Sequence, residues 1–240
     1  MENIRIVLVE TSHGGNIGAV ARAMKNMCLN ELALVAPRQF PTEECMARAS
    51  GADDILQEAS VHQNLDEALV DCSLVIGASA RLRSVSWPQL DPRECAELVL
   101  QRTVSGQVAL VFGRERTGLS NAELERCNYL VNIPANPDYS SLNLGMAVQV
   151  VSYELMMASQ HGSRTAPDTR ELAGAGDMQG LFNHLEQALE DIGFLDPRKS
   201  DKLMRRLKRL FYRAEPDMDE IKILRGILSA AQGRKSARRE

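Results

Sequence analysis

The sequence lacks the marks of several protein classes. The 240-residue chain has no run of eighteen apolar residues, so we expect no transmembrane helix. Its first ten residues lack the basic-then-apolar layout of a secretory signal. The five cysteines are scattered and form no C-x-x-C pair, which argues against a disulfide framework and against a zinc ribbon. The sequence therefore predicts a cytoplasmic protein without a metal site.

Two phosphate-binding fingerprints are also missing. No G-x-G-x-x-G motif follows a predicted strand, which argues against a dinucleotide-binding site. Residues Gly113–Ser120 nearly match the spacing of the phosphate loop of nucleotide hydrolases, but Leu119 stands where that loop needs a lysine. We therefore exclude hydrolysis of nucleoside triphosphates.

Charge is distributed unevenly along the chain. Residues 178–240 carry 14 Lys and Arg against 10 Asp and Glu, whereas residues 1–177 carry 14 against 22. Within the basic part, the stretch 196–213 has eight basic and two acidic residues. Such a stretch either solvates a helix face or binds the phosphates of a nucleic acid, and the sequence leaves both possibilities open. The composition predicts an acidic body followed by a basic tail domain.

Strands and helices alternate in the body. Short apolar runs rich in β-branched residues predict five strands, at Ile4–Val9, Leu32–Ala36, Leu74–Ala78, Val108–Phe112 and Tyr129–Ile133. Helical patterns lie between them, at Asn16–Cys28, Thr42–Ala49, Leu65–Val70, Pro92–Gln101 and Asn121–Arg126. This alternation is typical of an α/β fold with a mostly parallel, buried sheet.

The remaining segments predict how the chain is divided. The segment Leu142–Ala158 is apolar nearly all round, so it belongs to the core or to a subunit interface. Three amphipathic segments near the end of the chain predict a small helical bundle, and residues 233–240 are expected to fray. We thus predict a body at 1–158, a polar linker at 159–177 and a helical tail domain at 178–240.

Three loops that follow predicted strands are unusual, and ligands of parallel sheets bind at such strand ends. In the first loop, Asn16 is predicted to cap the next helix, whose N-terminus can bind a phosphate. Arg22 follows six residues later and either points back to this loop or is an ordinary surface residue. In the second loop, Gly113 allows the backbone to approach a ligand closely, with Arg114 and Glu115 beside it.

The third loop is the densest in polar groups. Residues 133–143 hold two prolines, two asparagines and two serines immediately before the apolar segment. A rigid capped turn explains part of this pattern, but the density exceeds what a cap needs, so we predict a site there. By contrast, Trp87 is expected to anchor a loop to the body rather than to stack on a base.

Segments around these loops resemble, in order and at family spacing, the three motifs of the SPOUT class of RNA methyltransferases. The segments NIGAVARAMKNM, ALVFGRERTGLS and IPANPDYSSLNLGMAVQVVSYEL are similar to its TrmH-like 2′-O-methyltransferase branch. The resemblance covers residues 3–157, whereas the tail is matched only in size, helicity and basic character. It implies a parallel α/β sheet tied in a trefoil knot, a rare exception to the rule against threaded chains.

The resemblance also implies a cofactor and an assembly. Members of this class bind S-adenosylmethionine, mostly through backbone groups of the knotted loops. Carried over by motif, the cofactor-binding residues are Ala78, Ser79, Ala80, Gly113, Ile133, Ser140, Ser141 and Leu142. The class works as a homodimer with helices like Leu142–Met157 at the interface, and Arg22 then comes from the partner of the chain that holds the cofactor.

The implied reaction is methylation of a ribose 2′-hydroxyl of tRNA, at a pyrimidine in position 32 of the anticodon loop. Arg22, Ser141 and Asn143 are the implied catalytic residues. A guanidinium titrates above about 12, so we expect Arg22 to stabilise the alkoxide and grip a phosphate rather than to act as the base. Ser141 and Asn143 would orient the ribose or the cofactor carboxylate.

The implied substrate-binding residues are Asn16, Arg22, Arg114 and Glu115, and Glu115 is also a candidate partner for an arginine. The basic tail is expected to hold the body of the tRNA. Two alternatives stay open. One is the same chemistry on ribosomal RNA or at another tRNA site, and the other is a non-catalytic RNA-binding protein that keeps the knot.

Overall fold

A computed structural model of the protein describes residues 1–80, 87–161, 172–196 and 200–233. Within these ranges seven strands form one sheet in the order β3-β2-β1-β6-β4-β7-β5, and all neighbouring strands are parallel. The strands are β1 (Ile4–Val9), β2 (Glu31–Val35), β3 (Ser60–His62), β4 (Cys72–Ala78), β5 (Gln89–Leu90), β6 (Gln107–Phe112) and β7 (Tyr129–Val131). The predicted α/β fold with a parallel sheet is confirmed.

The described helices of the body are α1 (Gly14–Asn26), α2 (Glu43–Ala49), α3 (Asp53–Gln57), α4 (Leu65–Leu69), α5 (Pro92–Arg102), α6 (Asn121–Leu124) and α7 (Leu144–His161). Those of the tail are α8 (Ala175–Asp191), α9 (Ser200–Ala214) and α10 (Met218–Ala231), which confirms the predicted helical bundle. No described helix is both long enough and apolar enough to cross a membrane. The described residues also contain no cluster of His, Cys, Asp and Glu able to hold a metal ion.

Sequence patterns missed three short elements. The strands β3 and β5 have three and two residues and lie at the two edges of the sheet. An edge strand of this length buries little side-chain surface, so it needs no apolar run, and Val61 in β3 is 58% exposed. The helix α3 spans five residues, too few to show a helical period.

The sheet is buried between two apolar layers. Because side chains alternate across a strand, Ile6 and Leu8 of β1 face one layer while Val7 and Val9 face the other. Helices α1, α5 and α7 contribute to the first layer, and α4 and α6 contribute to the second. Burial on both faces explains why the central strands consist of continuous apolar runs.

Helix α7 has two different sides. Val148, Val151 and Leu155 are fully buried in the first layer. Met146 and Tyr153 are 59% and 48% exposed, and Val150 is exposed between them. These positions recur every three or four residues, so they form one apolar stripe along the helix. The helix therefore packs on the core with one side and presents the other side to its surroundings.

The tail bundle is held by its own core and by contacts with the body. Phe182 of α8 is buried, and its ring centroid lies 5.2 Å from that of Tyr212 in an edge-on arrangement. Arg102, at the end of α5, forms an ion pair with Glu215, which lies between α9 and α10. Arg205 of α9 forms another ion pair with Glu125 of the body. The two parts of the chain are therefore docked through charged groups.

Parts of the predicted linker and terminus can be compared with the structure. The helix α7 continues to His161, and α8 begins at Ala175. Leu172 and Ala173, which the sequence places in the linker, are buried. Residues 162–171 of the linker and residues 234–240 of the terminus lie outside the described residues, as does 197–199 of the basic stretch. The domain limits and the knot stay predictions.

Candidate active site

A cavity of about 250 Å³ lies at the carboxyl ends of β4, β6 and β7. It is lined by Ala78–Ala80, Phe112–Leu119, Val131, Ile133, Ser140–Leu142, Leu144 and Ala147. All eight residues predicted to bind the cofactor are among them. The cavity also occupies the end of a parallel sheet where ligands characteristically bind. The topology thus brings the loop after β6 and the loop after β7 together around one cavity.

The second loop folds back on itself. The N–H of Gly118 donates to the carbonyl oxygen of Arg114 at 2.8 Å. A Cβ on Gly113 would lie 2.3 Å from the backbone nitrogen of Leu119, far inside contact distance. Glycine at position 113 is therefore required by the loop's own backbone, whereas the sequence pattern predicted that it makes room for a ligand.

Arg114 is held by two carboxylates. Its guanidinium donates to both oxygens of Glu123 at 3.0 Å and also forms an ion pair with Glu10. The hydrogen bonds to Glu10 and then to Glu123 raise the pKa of Arg114. Burial opposes ionisation of Glu123, but the hydrogen bonds from Arg114 and Ser120 together with the charge of Arg114 outweigh it and lower the pKa of that carboxyl. Arg114 thus fixes the second loop to the first, and its contact with RNA stays a prediction.

Glu115 joins the second loop to the start of α1. Its carboxylate accepts hydrogen bonds from the Ser12 hydroxyl at 2.9 Å, from the Ser12 backbone N–H at 3.2 Å and from the Asn16 amide at 2.9 Å. Partial burial raises the pKa of Glu115, but these hydrogen bonds overcome it and lower the pKa to about 2. Among the described residues Glu115 forms no ion pair with an arginine, and its pairing with an arginine stays a prediction.

Asn16 does not cap α1, contrary to the sequence prediction. The helix begins at Gly14, and its N-cap residue His13 makes no side-chain cap. Asn16 lies in the first turn, where its amide donates to Glu115 and its oxygen accepts from Asn143 at 3.0 Å. Because the helix starts two residues before Asn16, the Asn16 side chain is available for contacts with the other loops.

Asn143 links the third loop to the first and caps α7. Its side-chain oxygen accepts from the N–H of Gly145 at 2.9 Å, while its amide donates to Asn16. Ser140 and Ser141 precede it and are exposed at the edge of the cavity. One hydrogen-bonded series, from Glu115 through Asn16 to Asn143, therefore crosses all three motif loops.

A second cavity adjoins this series. It is lined by His13, Gly15, Asn16, Ala19, Glu44, Arg48 and Asn143. Asn143 thus lies beside the second cavity, whereas Ser141 lies in the first. The two α2 side chains, Glu44 and Arg48, have no sequence signal, because only the packing of α2 against α1 brings them here.

Arg22 lies apart from both cavities of its own chain. It is exposed on α1, and among the described residues it makes no hydrogen bond and no ion pair. Asn16, Ala19 and Arg22 are spaced by three residues, so they share one side of the helix. That side faces the start of α7, because Ala19 packs against Gly145. The structure therefore brings together every predicted site residue except Arg22.

Three further residues position the loops but were not predicted from the sequence, namely Glu10, Ser12 and Glu123. Glu123 carries a readable signal, since it forms a capping box with Ser120 at the start of α6. Ser12 and Glu10 stand in the first loop without a motif of their own, and only the meeting of β1 and β6 gives them partners.

Comparisons with known proteins agree with this arrangement. The SpoU rRNA methylase family matches residues 3–153, and the tRNA methyltransferase TrmJ C-terminal domain matches residues 176–240. The tRNA (cytidine/uridine-2′-O-)-methyltransferase TrmJ of Photorhabdus laumondii is 51% identical over 97% of this chain and 98% of its own length. The tRNA (cytidine/uridine/adenosine-2′-O-)-methyltransferase TrmJ of Pseudomonas aeruginosa is 51% identical over 97% and 95%.

A solved structure agrees as well. The crystal structure of TrmJ from Z. mobilis ZM4 is similar with a TM-score of 0.84, at 35% identity and over 94% of this chain and 97% of that one. The likeness includes both the sheet and the tail, because it extends over nearly the whole length of each chain. The chain therefore belongs to the SpoU rRNA methylase family and carries a C-terminal domain of the TrmJ type.

Proposed function

We propose that the protein transfers a methyl group from S-adenosylmethionine to a ribose 2′-hydroxyl of tRNA, at cytidine or uridine 32 of the anticodon loop. The observation that carries the proposal is similarity through both domains. Relatives named as tRNA 2′-O-methyltransferases match the body and the tail alike. This favours tRNA over ribosomal RNA, because the family of the body alone leaves both substrates open. A cytoplasmic location follows from the tRNA substrate and agrees with five free thiols.

The residues around the first cavity fit S-adenosylmethionine. Val131, Ile133 and Leu142 offer apolar surface to a flat adenine, and the adjacent serines offer hydroxyl groups to polar parts of the cofactor. Position 119, which lines the cavity, is a leucine and not a phosphate-binding lysine. This suits the adenosine part of the cofactor, which carries no phosphate. When bound, the cofactor supplies a methyl group already activated by a sulfonium.

The chain's own residues then have three tasks. The series from Glu115 to Asn143 fixes the loops that border both cavities, so that the hydroxyl and the cofactor meet in line. Ser141 orients the cofactor or the ribose at the edge of the first cavity. Arg22 stabilises the alkoxide that develops on the ribose oxygen and grips the neighbouring phosphate, while water or a polar neighbour accepts the proton.

The protein works as a homodimer in this proposal. The apolar stripe of Met146, Val150 and Tyr153 on α7 has no cover in the chain's described residues. Arg22 lies on the side of α1 that faces α7, and it contacts neither cavity of its own chain. A partner packed on the stripe would cover the exposed apolar surface and carry its own Arg22 to the site.

The reaction is tested with purified protein, S-adenosylmethionine and unmodified tRNA transcripts that carry C, U or A at position 32. Mass spectrometry of the digested RNA is expected to show a 2′-O-methylated pyrimidine at that position. A transcript with a 2′-deoxyribose at position 32 should accept no methyl group there. The A32 transcript shows whether the range extends to adenosine, as in the name of the Pseudomonas aeruginosa relative. Absence of methyl transfer from the wild-type protein to every tRNA would overturn the proposal.

The role of Arg22 is tested by Arg22→Ala. We expect methyl transfer to fall by about 100-fold or more, as for the loss of one charge-stabilising group. The matched control is Lys25→Ala on the same helix, which also removes one exposed positive charge and should keep most of the activity. Equal losses in the two variants would show that Arg22 acts only through general charge.

The shared site is tested by mixing two inactive variants. Arg22→Ala removes the arginine, and Ser141→Trp fills the cofactor cavity from an exposed position. Unfolding and reassembly of the mixture gives half heterodimers, each with one intact site, so about a quarter of the wild-type activity should return. No recovery, with heterodimers shown by mass spectrometry, would place both residues of a site in one chain.

A further inference from the structure

Three arginines on α9 form a row that has no carboxylate partner among the described residues. Arg206, Arg209 and Arg213 lie together with Leu210 around one surface groove. They are spaced by three and four residues, so they follow one side of the helix over about 10 Å. No carboxylate among the described residues pairs with any of the three. We call these three residues the arginine row.

Two other cations of α9 are already used within the protein. Arg205 forms an ion pair with Glu125 of the body. The ammonium group of Lys208 lies 5.9 Å from the ring centroid of Phe182 in the tail core. The helix therefore divides its positive charges between docking contacts on one side and the arginine row on another.

The arginine row is tied to the body at its centre. The Arg209 guanidinium lies 5.7 Å from the ring centroid of Trp87, within the range of a cation–π contact. Trp87 is buried, and its indole N–H donates to the carbonyl of Cys127 at 3.2 Å, which confirms the predicted anchor. Arg209 and Arg213 also border a small cleft with Pro88 and Asn128. The row thus lies on a seam between tail and body.

The seam is close enough to the first cavity for one RNA molecule to reach both. Ala80 lines the cavity, and Trp87 follows seven residues later along the chain. Seven residues span at most about 25 Å when fully extended. A charged row within this distance can bind backbone phosphates of the same RNA molecule whose nucleotide enters the site.

We infer that the arginine row and the adjoining cleft at Trp87, Pro88 and Asn128 form one binding surface for the phosphate backbone of the RNA substrate. The inference rests on the proposed function and states which surface of the basic tail takes the RNA. Guanidinium groups without carboxylate partners bind phosphate with little internal competition, and each contact releases counterions. Because Arg209 rests on the buried Trp87, the surface holds the RNA at a fixed position relative to the cavity.

The test measures tRNA affinity against salt concentration for Arg206→Gln and Arg213→Gln. The matched control is Arg225→Gln, an exposed arginine of the same domain on α10. We expect each row variant to weaken tRNA binding about tenfold and to lower the slope of log affinity against log salt by about one. The control should change neither quantity by a comparable amount. All variants should bind S-adenosylmethionine and melt like the wild type, since both row side chains are exposed.

The fluorescence of Trp87 gives a second measurement, because it is the single tryptophan of the chain. Addition of tRNA should change its emission at the same midpoint as binding, and Arg206→Gln should move that midpoint to higher tRNA concentration. If the row variants bind tRNA as Arg225→Gln does, the inferred surface is wrong while the proposed reaction stands. If the wild-type protein neither binds nor methylates tRNA, the proposed function fails and the surface fails with it.

Discussion

At the scale of single residues, Glu115 joins the second loop to the first. The sequence predicts Glu115 as a candidate partner for an arginine, and within the described residues its carboxylate accepts hydrogen bonds from Ser12 and Asn16. These donors come from the first loop, which is about one hundred residues away in sequence. Its neighbour Arg114 takes Glu10 and Glu123 instead. The positive Arg114 and the negative Glu115 thus each fix the second loop, through separate partners.

The acid sensitivity of this contact is predictable. The pKa of Glu115 is lowered from 4.5 to about 2, so its bonds stabilise the fold fully above pH 4.5 and are lost as the pH falls toward 2. We expect Glu115→Gln to be less stable than the wild type at pH 7, and the difference should shrink between pH 4.5 and 2. Urea denaturation at a series of pH values measures it.

The matched control for this experiment is Glu2→Gln, an exposed glutamate that makes no hydrogen bond within the described residues. Its stability should follow that of the wild type at every pH. A difference for Glu115→Gln that stays constant from pH 7 to pH 2 would contradict the assignment.

At the scale of elements, the closed loop after β6 decides the shape of the cavity. The loop returns on itself within six residues, and the approach of Gly113 to Gly118 and Leu119 leaves no room for a Cβ. The sequence resembles a phosphate loop because both loops need glycines at similar spacing for tight turns. Here the turn lets the loop form one wall of the cavity.

We predict that Gly113→Ala opens this loop. The added Cβ meets backbone atoms that can move only by breaking the turn, so stability should fall by roughly 1–3 kcal/mol and cofactor binding should weaken. Gly226→Ala is the control, because a Cβ there meets nothing within 4 Å and removes a glycine from α10. It should raise stability by roughly 0.5–1 kcal/mol. Thermal melting with and without S-adenosylmethionine separates the two effects, and unchanged binding by Gly113→Ala would refute the role of the turn.

At the scale of the whole molecule, a buried ion pair docks the tail on the body. The side chains of Arg102 and Glu215 are each 9% exposed. Burial raises the pKa of the neighbouring Tyr129 to about 12, with a further contribution from the charge of Glu215. A buried charge that loses its partner is costly, so this pair is a sensitive point of the interface between the two parts.

We expect Arg102→Ala and Glu215→Ala each to lower the free energy of unfolding by roughly 3–5 kcal/mol, and the double variant to cost less than their sum. Glu97→Ala is the control, since it removes one partner of an exposed pair on α5 and should cost roughly 0.3–0.5 kcal/mol. Urea denaturation of the four variants forms the measurement. Additive losses would show that the pair is not coupled.

Much of the fold was predictable from residue pattern. The five strands with buried runs and the three tail helices were identified because a buried strand needs a continuous apolar run and an amphipathic helix needs a repeating one. All eight cofactor residues carried over by motif line one cavity, since the order of the loops follows from the order of parallel strands. The edge strands β3 and β5 were missed because short exposed elements carry no such pattern.

The sequence by itself determined the parallel α/β body, the basic helical tail and the loops that form the site, because these depend on local periodicity and on motif spacing. The tertiary structure alone decided that Glu115 binds Asn16 and that Arg209 rests on Trp87. Each of these contacts joins residues from different elements or depends on how two elements pack. The free energy of such a contact depends on a geometry that no local pattern encodes.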